Sequence, residues 1–273
     1  MTSDVRLSVA LVTRNRPESL RRCLASLRAQ NAQPAEVVIS DDSSKPADIE
    51  GTRALADEFR AIYRTGPQRG LYANRNFAAL ACTGTHVRTM DDDHTFPAGH
   101  FAACLEAVHS DPHTIWTVGE VGYIDGKFFD RAETATQLHP AGVGCDVDDP
   151  DDNWAIADGA SIYPKKIFDL GYRIVENFPY GMSYLEFGAF LYRRGFRSRC
   201  VRGVYVEHHA DMTTVNRDEP ESRLFASLCY NLCFRPSAWR TLRYIGPILW
   251  RKPSLIPQVM KLSRLARERW KAS

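Results

Sequence analysis

The stretch LSVALVT at residues 7–13 is a short, nearly continuous apolar run, which is typical of a strand buried on both faces of a parallel sheet. Pro17 then lies at the start of a segment whose apolar residues recur at helical spacing down to Gln30. The next apolar run, at residues 36–40, ends at a pair of aspartates. This order predicts a βαβ unit with acidic residues at the carboxyl end of its second strand.

The same alternation continues along the chain. Further helices are predicted at residues 52–59, 71–81, 98–109 and 187–192, and further strands at 61–63, 86–90, 114–118 and 201–206. Residues 125–153, which are rich in Gly, Asp and Pro, are expected to form loops or a hairpin over the site. The fold class is therefore α/β, with a mostly parallel central sheet, and ligands are expected beyond the carboxyl ends of its strands.

Composition limits the class of protein. The chain has 273 residues, of which 44% are hydrophobic and 25% are charged, so it can bury one large core or a core with a small appendage. The 7 cysteines show no CxxC pair or zinc spacing, which favours reduced thiols in a cytoplasmic protein. The first residues lack the apolar stretch of a secretory signal, so export is not expected.

Positive charge collects toward the C-terminus. From Arg235 onward there are ten Arg or Lys residues and one acid, Glu268, although the net charge of the whole chain is only +2. We expect a domain at residues 1–215 followed by a basic, aromatic-rich helical extension at 216–273. This extension suits peripheral contact with an anionic membrane, at its inner face, and the alternative is packing on the domain or on a second subunit in a homodimer. It has no recognisable reader motif for nucleic acid, so no nucleic-acid partner is expected.

Asp91, Asp92 and Asp93 directly follow the strand predicted at residues 86–90. Three adjacent carboxylates at a strand end would repel one another, and a divalent cation relieves that repulsion. Mg²⁺ and Mn²⁺ prefer carboxylate oxygens and complete their coordination with water and phosphate oxygens. The triplet therefore favours a metal and diphosphate site over its alternative, a solvated acidic turn.

Four segments in order resemble the inverting family 2 glycosyltransferases, which have the nucleotide-diphospho-sugar transferase (GT-A) fold. SVALVTRNRP at residues 8–17 resembles the opening strand and nucleotide-contacting turn, and EVVISDDSS at 36–44 resembles the second strand with its base-binding aspartates. RGLYANRN at 69–76 is similar to a Gly-x-x-x-Ala-Arg-Asn segment near the diphosphate, with an added Asn74 or a shifted register. TMDDDHTFP at 89–97 resembles the metal-binding DxD strand end. The resemblance covers about residues 6–215.

The resemblance implies transfer of a sugar from a nucleoside diphosphate sugar to a hydroxyl of a carbohydrate, lipid-linked or other acceptor, with Mn²⁺ or Mg²⁺ as cofactor. The residues that it assigns to nucleotide-sugar binding are Thr13, Arg14, Arg16, Asp41, Asp42, Arg69, Arg75, Asp91 and Asp92. The residues that it assigns to the metal are Asp91, Asp93 and His208. His208 fits by its spacing from the preceding strand, and His209 and His94 are the alternatives.

The helix near residues 184–195 resembles the family's helix that opens with Glu-Asp, whose aspartate is the catalytic base. In this chain that pair falls on Ser183 and Tyr184, and Glu186 lies two places later. An inverting transfer needs a carboxylate near the acceptor hydroxyl. We therefore predict Glu186 as the base, with Asp158, in a segment that resembles the acceptor side, as the second choice. A helix-terminal acid with no catalytic role is the structural alternative for Glu186.

Two other functions fit the same fold. A non-catalytic nucleotide-sugar-binding protein is suggested by the missing Glu-Asp pair. A sugar-nucleotide pyrophosphorylase normally opens with a glycine-rich basic loop after its first strand, and residues 13–17 contain no glycine.

Overall fold

The computed structural model describes residues 5–210 and 219–271. The predicted boundary between residues 215 and 216 lies outside these ranges. The amino-terminal half contains β1 (Leu7–Thr13), α1 (Pro17–Arg28), β2 (Glu36–Asp41), α2 (Pro46–Phe59), β3 (Ile62–Thr65), α3 (Leu71–Ala81), β4 (His86–Asp91), β5 (His94–Thr95) and α4 (His100–Ser110). The middle of the chain contains β6 (Ile115–Ile124), β7 (Lys127–Ala132), β8 (Gln137–Leu138), β9 (Gly144–Cys145), β10 (Ser161–Pro164), α5 (Lys166–Asp169), α6 (Ser183–Tyr192) and β11 (Ser198–Ala210).

The C-terminal extension is helical. It contains α7 (Pro220–Cys229), a π-helical turn (Tyr230–Phe234), α8 (Ala238–Arg251), a 3₁₀ turn (Pro253–Leu255) and α9 (Gln258–Lys271). Among the described residues, no helix is long and apolar enough to cross a membrane.

In the described part of the chain, nine strands form one sheet in the order β3-β2-β1-β4-β10-β6-β11-β5, and β7 pairs with β6. Strands β1, β2, β3 and β4 pair in parallel, and β11 is parallel to β6. Strand β10 lies antiparallel between β4 and β6, so these two strands run in the same direction. The prediction of a mostly parallel sheet is confirmed.

Both faces of the sheet are covered. Val9 and Leu11 of β1 pack with α1 and α4 on one face, and Ala10 and Val12 pack with α3 and α6 on the other. Successive side chains of a strand point to opposite faces, so a strand covered on both faces needs apolar residues at nearly every position. This is the physical reason for the continuous apolar run at residues 7–13.

Several elements extend beyond their predicted limits. Helix α2 begins at Pro46 rather than at residue 52, because proline suits the first turn of a helix. Strand β6 continues to Ile124 rather than stopping at Val118, and residues 119–122 alternate between buried and partly exposed. An alternating pattern of this kind does not appear as an apolar run, and the extension of β6 was therefore missed.

The extension packs against the domain. Phe225 of α7 lies with Val175 and Phe178 in one cluster, and Ala226 lies with Leu185 and Ala189 of α6 in another. Packing on the domain was one of the two alternatives that composition left open. All seven cysteines are free, and four of them are buried.

Candidate active site

The two acidic clusters meet at one edge of the sheet. Strand β1 pairs in parallel with both β2 and β4, which brings Asp41 opposite Thr13 and Asp91 opposite Val12. Asp158 precedes β10, and because β10 is antiparallel to β4, its start lies at the edge where β4 ends. The strand ends thus bring together carboxylates that are far apart in the sequence.

Asp91 and Asp158 share one arginine. The Arg75 guanidinium, whose side chain is 2% exposed, donates to Asp91 Oδ2 at 2.5 Å and Oδ1 at 3.3 Å, and it also pairs with Asp158. The Asp158 side chain remains 37% exposed. Partial burial raises the pKa of Asp158, and the opposing effect of Arg75 does not cancel that rise. Arg75 therefore holds two carboxylates side by side, one of which keeps access to solvent.

Asp92 and Asp93 face Arg16 instead. Asp92 is fully buried, accepts a hydrogen bond from Thr13 Oγ1 at 2.6 Å and pairs with Arg16 at 2.5 Å. Arg16 also donates to Asp93 Oδ2 at 2.9 Å. Burial raises the pKa of Asp92 although Arg16 and Thr13 oppose the shift. Two arginines, one on each side of the triplet, thus compensate part of its negative charge.

Asp93, His94 and His208 form a candidate metal site. In the described residues, each offers a ligand atom and these atoms lie within 4.8 Å of one another. The pairing of β5 with β11 sets His94 opposite His208, and Asp93 Oδ2 lies 3.7 Å from His208 Nε2. The Nδ1 atom of His208 lies 2.9 Å from Glu120 Oε1, which orients the imidazole ring.

The chemistry of this group fits a divalent cation. Within the described residues, Asp93 Oδ1 is buried and has no hydrogen-bond partner. Burial lowers the pKa of His94, which favours the neutral imidazole that a metal requires. Burial also acts to lower the pKa of His208, but the nearby Asp93 carboxylate and the hydrogen bond to Glu120 raise it to about 11. A cation bound by His208 would therefore displace a proton.

The structure places the predicted metal ligands in two groups. Asp93 and His208 lie together with His94. The Asp91 carboxylate is instead bound by Arg75. His209 lies 2.8 Å from the Thr95 hydroxyl through its Nε2 atom, on a different side from His208.

Asp41 and Asp42 occupy the end of β2. Asp41 accepts hydrogen bonds from the Ser43 backbone N–H at 2.8 Å and the Tyr63 hydroxyl at 3.2 Å. Asp42 accepts one from the backbone N–H of Gln68 at 2.8 Å. Burial raises the pKa of Asp42. Both carboxylates are therefore oriented by their surroundings.

The remaining predicted donor-binding residues lie at the periphery or on α3. Arg14 is exposed, and Arg69 forms an exposed ion pair with Glu176 at 3.1 Å. Helix α3 is continuous, and Asn74 occupies a buried position in it, donating to the Ser40 carbonyl at 3.1 Å. Arg75 thus reaches the site without an insertion in the helix.

Glu186 does not reach this edge. It is fully buried near the start of α6, where Oε1 accepts a hydrogen bond from the Trp270 indole at 2.9 Å and lies 3.5 Å from Arg269 Nε. Burial raises the pKa of Glu186. The predicted role as base requires access to an acceptor hydroxyl, and a carboxylate enclosed by α9 lacks that access in this structure.

Three residues at the site were not predicted. Glu120 lies in the part of β6 that the sequence pattern missed, beside His208. Gly66 approaches Asp42 so closely that an added Cβ would lie 2.2 Å from Asp42 Oδ1, and Gly159, at φ +66°, would place one 2.4 Å from Asp91 Oδ2. Two sequence signals could have indicated these residues: Glu120 is an acid that follows an apolar run, and Gly159 directly follows Asp158.

The chain is similar to known proteins in sequence and in fold. A family model described as Glycosyl transferase family 2 matches residues 8–171, which is more than half of the chain. No curated protein matches it.

Solved structures similar to this one include TarS of S. aureus, residues 1–349, in complex with UDP-GlcNAc, at 13% identity and a TM-score of 0.66, covering 97% of this chain and 81% of that one. The same protein in complex with UDP matches at 14% identity and a TM-score of 0.62, covering 93% and 73%. GalNAc-T7 with UDP, GalNAc and Mn²⁺ matches at 13% identity and a TM-score of 0.63, covering 93% and 57%. At these identities the likeness shows the fold, which is the one that the sequence motifs predicted.

Proposed function

Because the chain belongs to glycosyl transferase family 2, we propose that it transfers a sugar from a nucleoside diphosphate sugar to an acceptor hydroxyl with inversion at the sugar carbon. One observation carries this proposal: a buried carboxylate oxygen of Asp93 without a hydrogen-bond partner among the described residues lies beside two histidines, at the sheet edge that also holds Asp42. The TarS and GalNAc-T7 structures contain UDP or UDP-GlcNAc, so UDP sugars are the first donors to test.

The donor would lie along the ends of β1, β2 and β4. Asp41 and Asp42 suit the ribose hydroxyls or the edge of the base, which carboxylates at this position of α/β sheets commonly receive. Arg16 is partly exposed and lies between the triplet and solvent, where its guanidinium is suited to a diphosphate oxygen. Arg14 and Arg69, both exposed, would add positive charge at the rim.

Asp93, His94 and His208 would hold the cation, with Asp91 next to them. Two imidazoles and one carboxylate favour Mn²⁺ over Mg²⁺, and GalNAc-T7 is described with Mn²⁺. When bound, the cation supplies positive charge that stabilises the departing diphosphate. Glu120 would keep the His208 ring in the orientation that directs Nε2 toward Asp93.

Asp158 is the base that the geometry favours. Its side chain is partly exposed at the sheet edge. Its pKa is raised toward neutral pH, which suits a group that accepts a proton from the acceptor hydroxyl. Arg75 would fix its orientation through the ion pair. We therefore assign the role of base to Asp158 and not to Glu186.

The acceptor is a hydroxyl of a carbohydrate, a lipid-linked glycan or another glycoconjugate. A cytoplasmic site of action is part of the proposal, and it is supported by seven cysteines that form no disulfide.

Hydrolysis of UDP sugars in the presence of Mn²⁺ tests the proposal. We expect Asp93→Ala to lower the rate by about 10²-fold or more, because it removes the carboxylate of the metal site. Asp57→Ala, at an exposed position of α2, is the matched control and should leave the rate unchanged. Thermal unfolding of both variants shows whether they fold normally.

The two alternative functions give different results. A nucleotide-sugar-binding protein would show a rise in unfolding temperature with a donor but no turnover on any acceptor. A pyrophosphorylase would form a nucleotide sugar from a sugar phosphate and a nucleoside triphosphate. If no nucleoside diphosphate sugar stabilises the protein, the proposal is refuted.

A further inference from the structure

Helix α8 is apolar on two of its sides. Ile245 and Ile248 face inward and are buried in the cluster that joins α7, α8 and α9. Trp239, Leu242 and Trp250, which recur at spacings of three and eight residues, lie on one outward side of the helix. The buried residues of the inward side explain how the helix packs. They do not explain why the outward side is also apolar.

Two more large apolar side chains are exposed in the segment that follows α8. Ile256 follows the 3₁₀ turn and Met260 lies in the first turn of α9, and both are exposed. We define the outer face as the five side chains whose exposed fractions range from 58% to 84%: Trp239, Leu242, Trp250, Ile256 and Met260. So many large apolar side chains exposed on two consecutive helices are typical of a surface that binds something.

Cations border the outer face. Arg243 and Arg251 directly follow Leu242 and Trp250 in the sequence, and Lys261 directly follows Met260; all three are exposed. Residues 235–267 contain no acid, and Glu268 is paired with Arg264 at 2.7 Å. The border of the outer face therefore carries positive charge, and residues 235–267 of the same segment supply no acid to neutralise it.

We propose that the outer face lies in the headgroup region of an anionic lipid bilayer, with α8 parallel to the membrane plane. Tryptophan side chains favour this region because an apolar ring meets a polar N–H group there. Long basic side chains next to an apolar strip reach lipid phosphates, while the apolar residues enter the acyl boundary. The 14 residues of α8 are too few to span a bilayer but sufficient to lie on one.

A second copy of the chain fits this face less well. In a two-fold symmetric dimer the same patch would face itself, so Arg243, Arg251 and Lys261 of both subunits would be brought together. Like charges across an interface oppose association. The positive border matches an anionic surface instead.

Flotation of the full chain with lipid vesicles tests the proposal. We expect binding to phosphatidylcholine vesicles that contain phosphatidylglycerol, little binding to phosphatidylcholine alone, and weakening by added salt. The double variant Trp239→Ser with Trp250→Ser should bind about tenfold more weakly or worse. Removal of one positive charge near the surface is expected to weaken binding by roughly fivefold. Arg243→Glu should weaken it by more, because it replaces a positive charge with a negative one.

The matched control is Phe128→Ser with Phe129→Ser on β7, which removes two apolar side chains of 65% and 66% exposure far along the chain. It should bind vesicles like the wild type. Tryptophan fluorescence gives a second readout: a blue shift with anionic vesicles is expected for the wild type and should be lost when Trp239 and Trp250 are replaced.

Three results would overturn the proposal: no binding to anionic vesicles at low salt, equal loss of binding in the Phe128 and Phe129 control, or a concentration-dependent dimer that the tryptophan variant abolishes while vesicles do not bind. Hydrolysis of a soluble donor by the tryptophan variant should equal that of the wild type. Failure of the membrane proposal can therefore be distinguished from failure of the proposed enzymatic function.

Discussion

Replacing Glu186 by alanine and, separately, by glutamine distinguishes a structural role of this residue from a catalytic one. In the structure its carboxylate is buried and accepts a hydrogen bond from the indole N–H of Trp270, and Arg269 Nε lies 3.5 Å from Glu186 Oε1. Alanine removes the acceptor, so the partly buried N–H of Trp270 and the largely buried guanidinium of Arg269 lose their partner. Glutamine keeps a carbonyl oxygen at the same place, so the hydrogen bond from Trp270 can persist.

The size of the effect follows from these contacts. A buried donor without its acceptor costs about 1–3 kcal/mol, and breaking a buried ion pair costs about 3–5 kcal/mol. Since Arg269 is not fully enclosed and the separation is long, we expect Glu186→Ala to lower the free energy of unfolding by about 3 kcal/mol. That corresponds to an unfolding midpoint lower by roughly 6–12 °C. Glu186→Gln should stay within about 1 kcal/mol of the wild type.

Circular dichroism melts and donor turnover should be measured on the same preparations. We expect Glu186→Gln to retain the wild-type kcat, whereas Asp158→Asn, the matched change at the proposed base, should lower kcat by about 10²–10⁴-fold. If Glu186→Gln instead loses that much activity while its melting temperature is unchanged, Glu186 is the base and our assignment is refuted. A normal melting temperature for Glu186→Ala would refute the structural role.

Two further predictions concern Gly66 and the pH dependence of stability. Gly66→Ala would place a Cβ 2.2 Å from Asp42 Oδ1 and should weaken donor binding by about tenfold in a titration, while Gly246→Ala, which meets nothing within 4 Å, should bind normally. Because burial raises the pKa of Glu186, the folded state holds this proton to higher pH than the unfolded state does, so the group's contribution to stability is lost as pH rises above about 4.3. Glutamine cannot ionise, so the difference in melting temperature between Glu186→Gln and the wild type should shift in favour of the variant as the pH is raised above about 4.3. A difference that stays constant with pH would contradict this prediction.

The first half of the fold could be predicted because its signals are local. Residues 7–13 and 37–39 are largely apolar, and their side chains contribute to the clusters on both faces of the sheet. Helix α3 was predicted with its observed limits, since its apolar residues recur at helical spacing. In these segments each residue's neighbours in sequence determine its environment.

The site required information that the local sequence lacks. Strand β10 has four residues and lies antiparallel between β4 and β6, a position that depends on partners about 45 to 75 residues away. The meeting of Asp93 with His208 depends on the two-residue strand β5 pairing with β11. Glu186 shows the same limitation in reverse: the resemblance of its helix to the family's Glu-Asp helix suggested a catalytic base, but the carboxylate is bound by a tryptophan 84 residues later in the sequence.

The contact between Glu186 and Trp270 also bears on the division of the chain. The ring centroid of Trp270 lies 5.7 Å from that of Phe190 in α6 and 5.9 Å from that of Phe234. Helix α9 therefore covers apolar surface of the domain as well as a buried carboxylate. Without α9, the domain would expose aromatic surface and keep a buried acid without its donor, and both changes oppose folding. We therefore propose that the segments on either side of the predicted boundary near residue 215 fold as one unit. Because the same extension carries the outer face, any membrane that binds α8 also fixes the orientation of the domain to which α9 is joined.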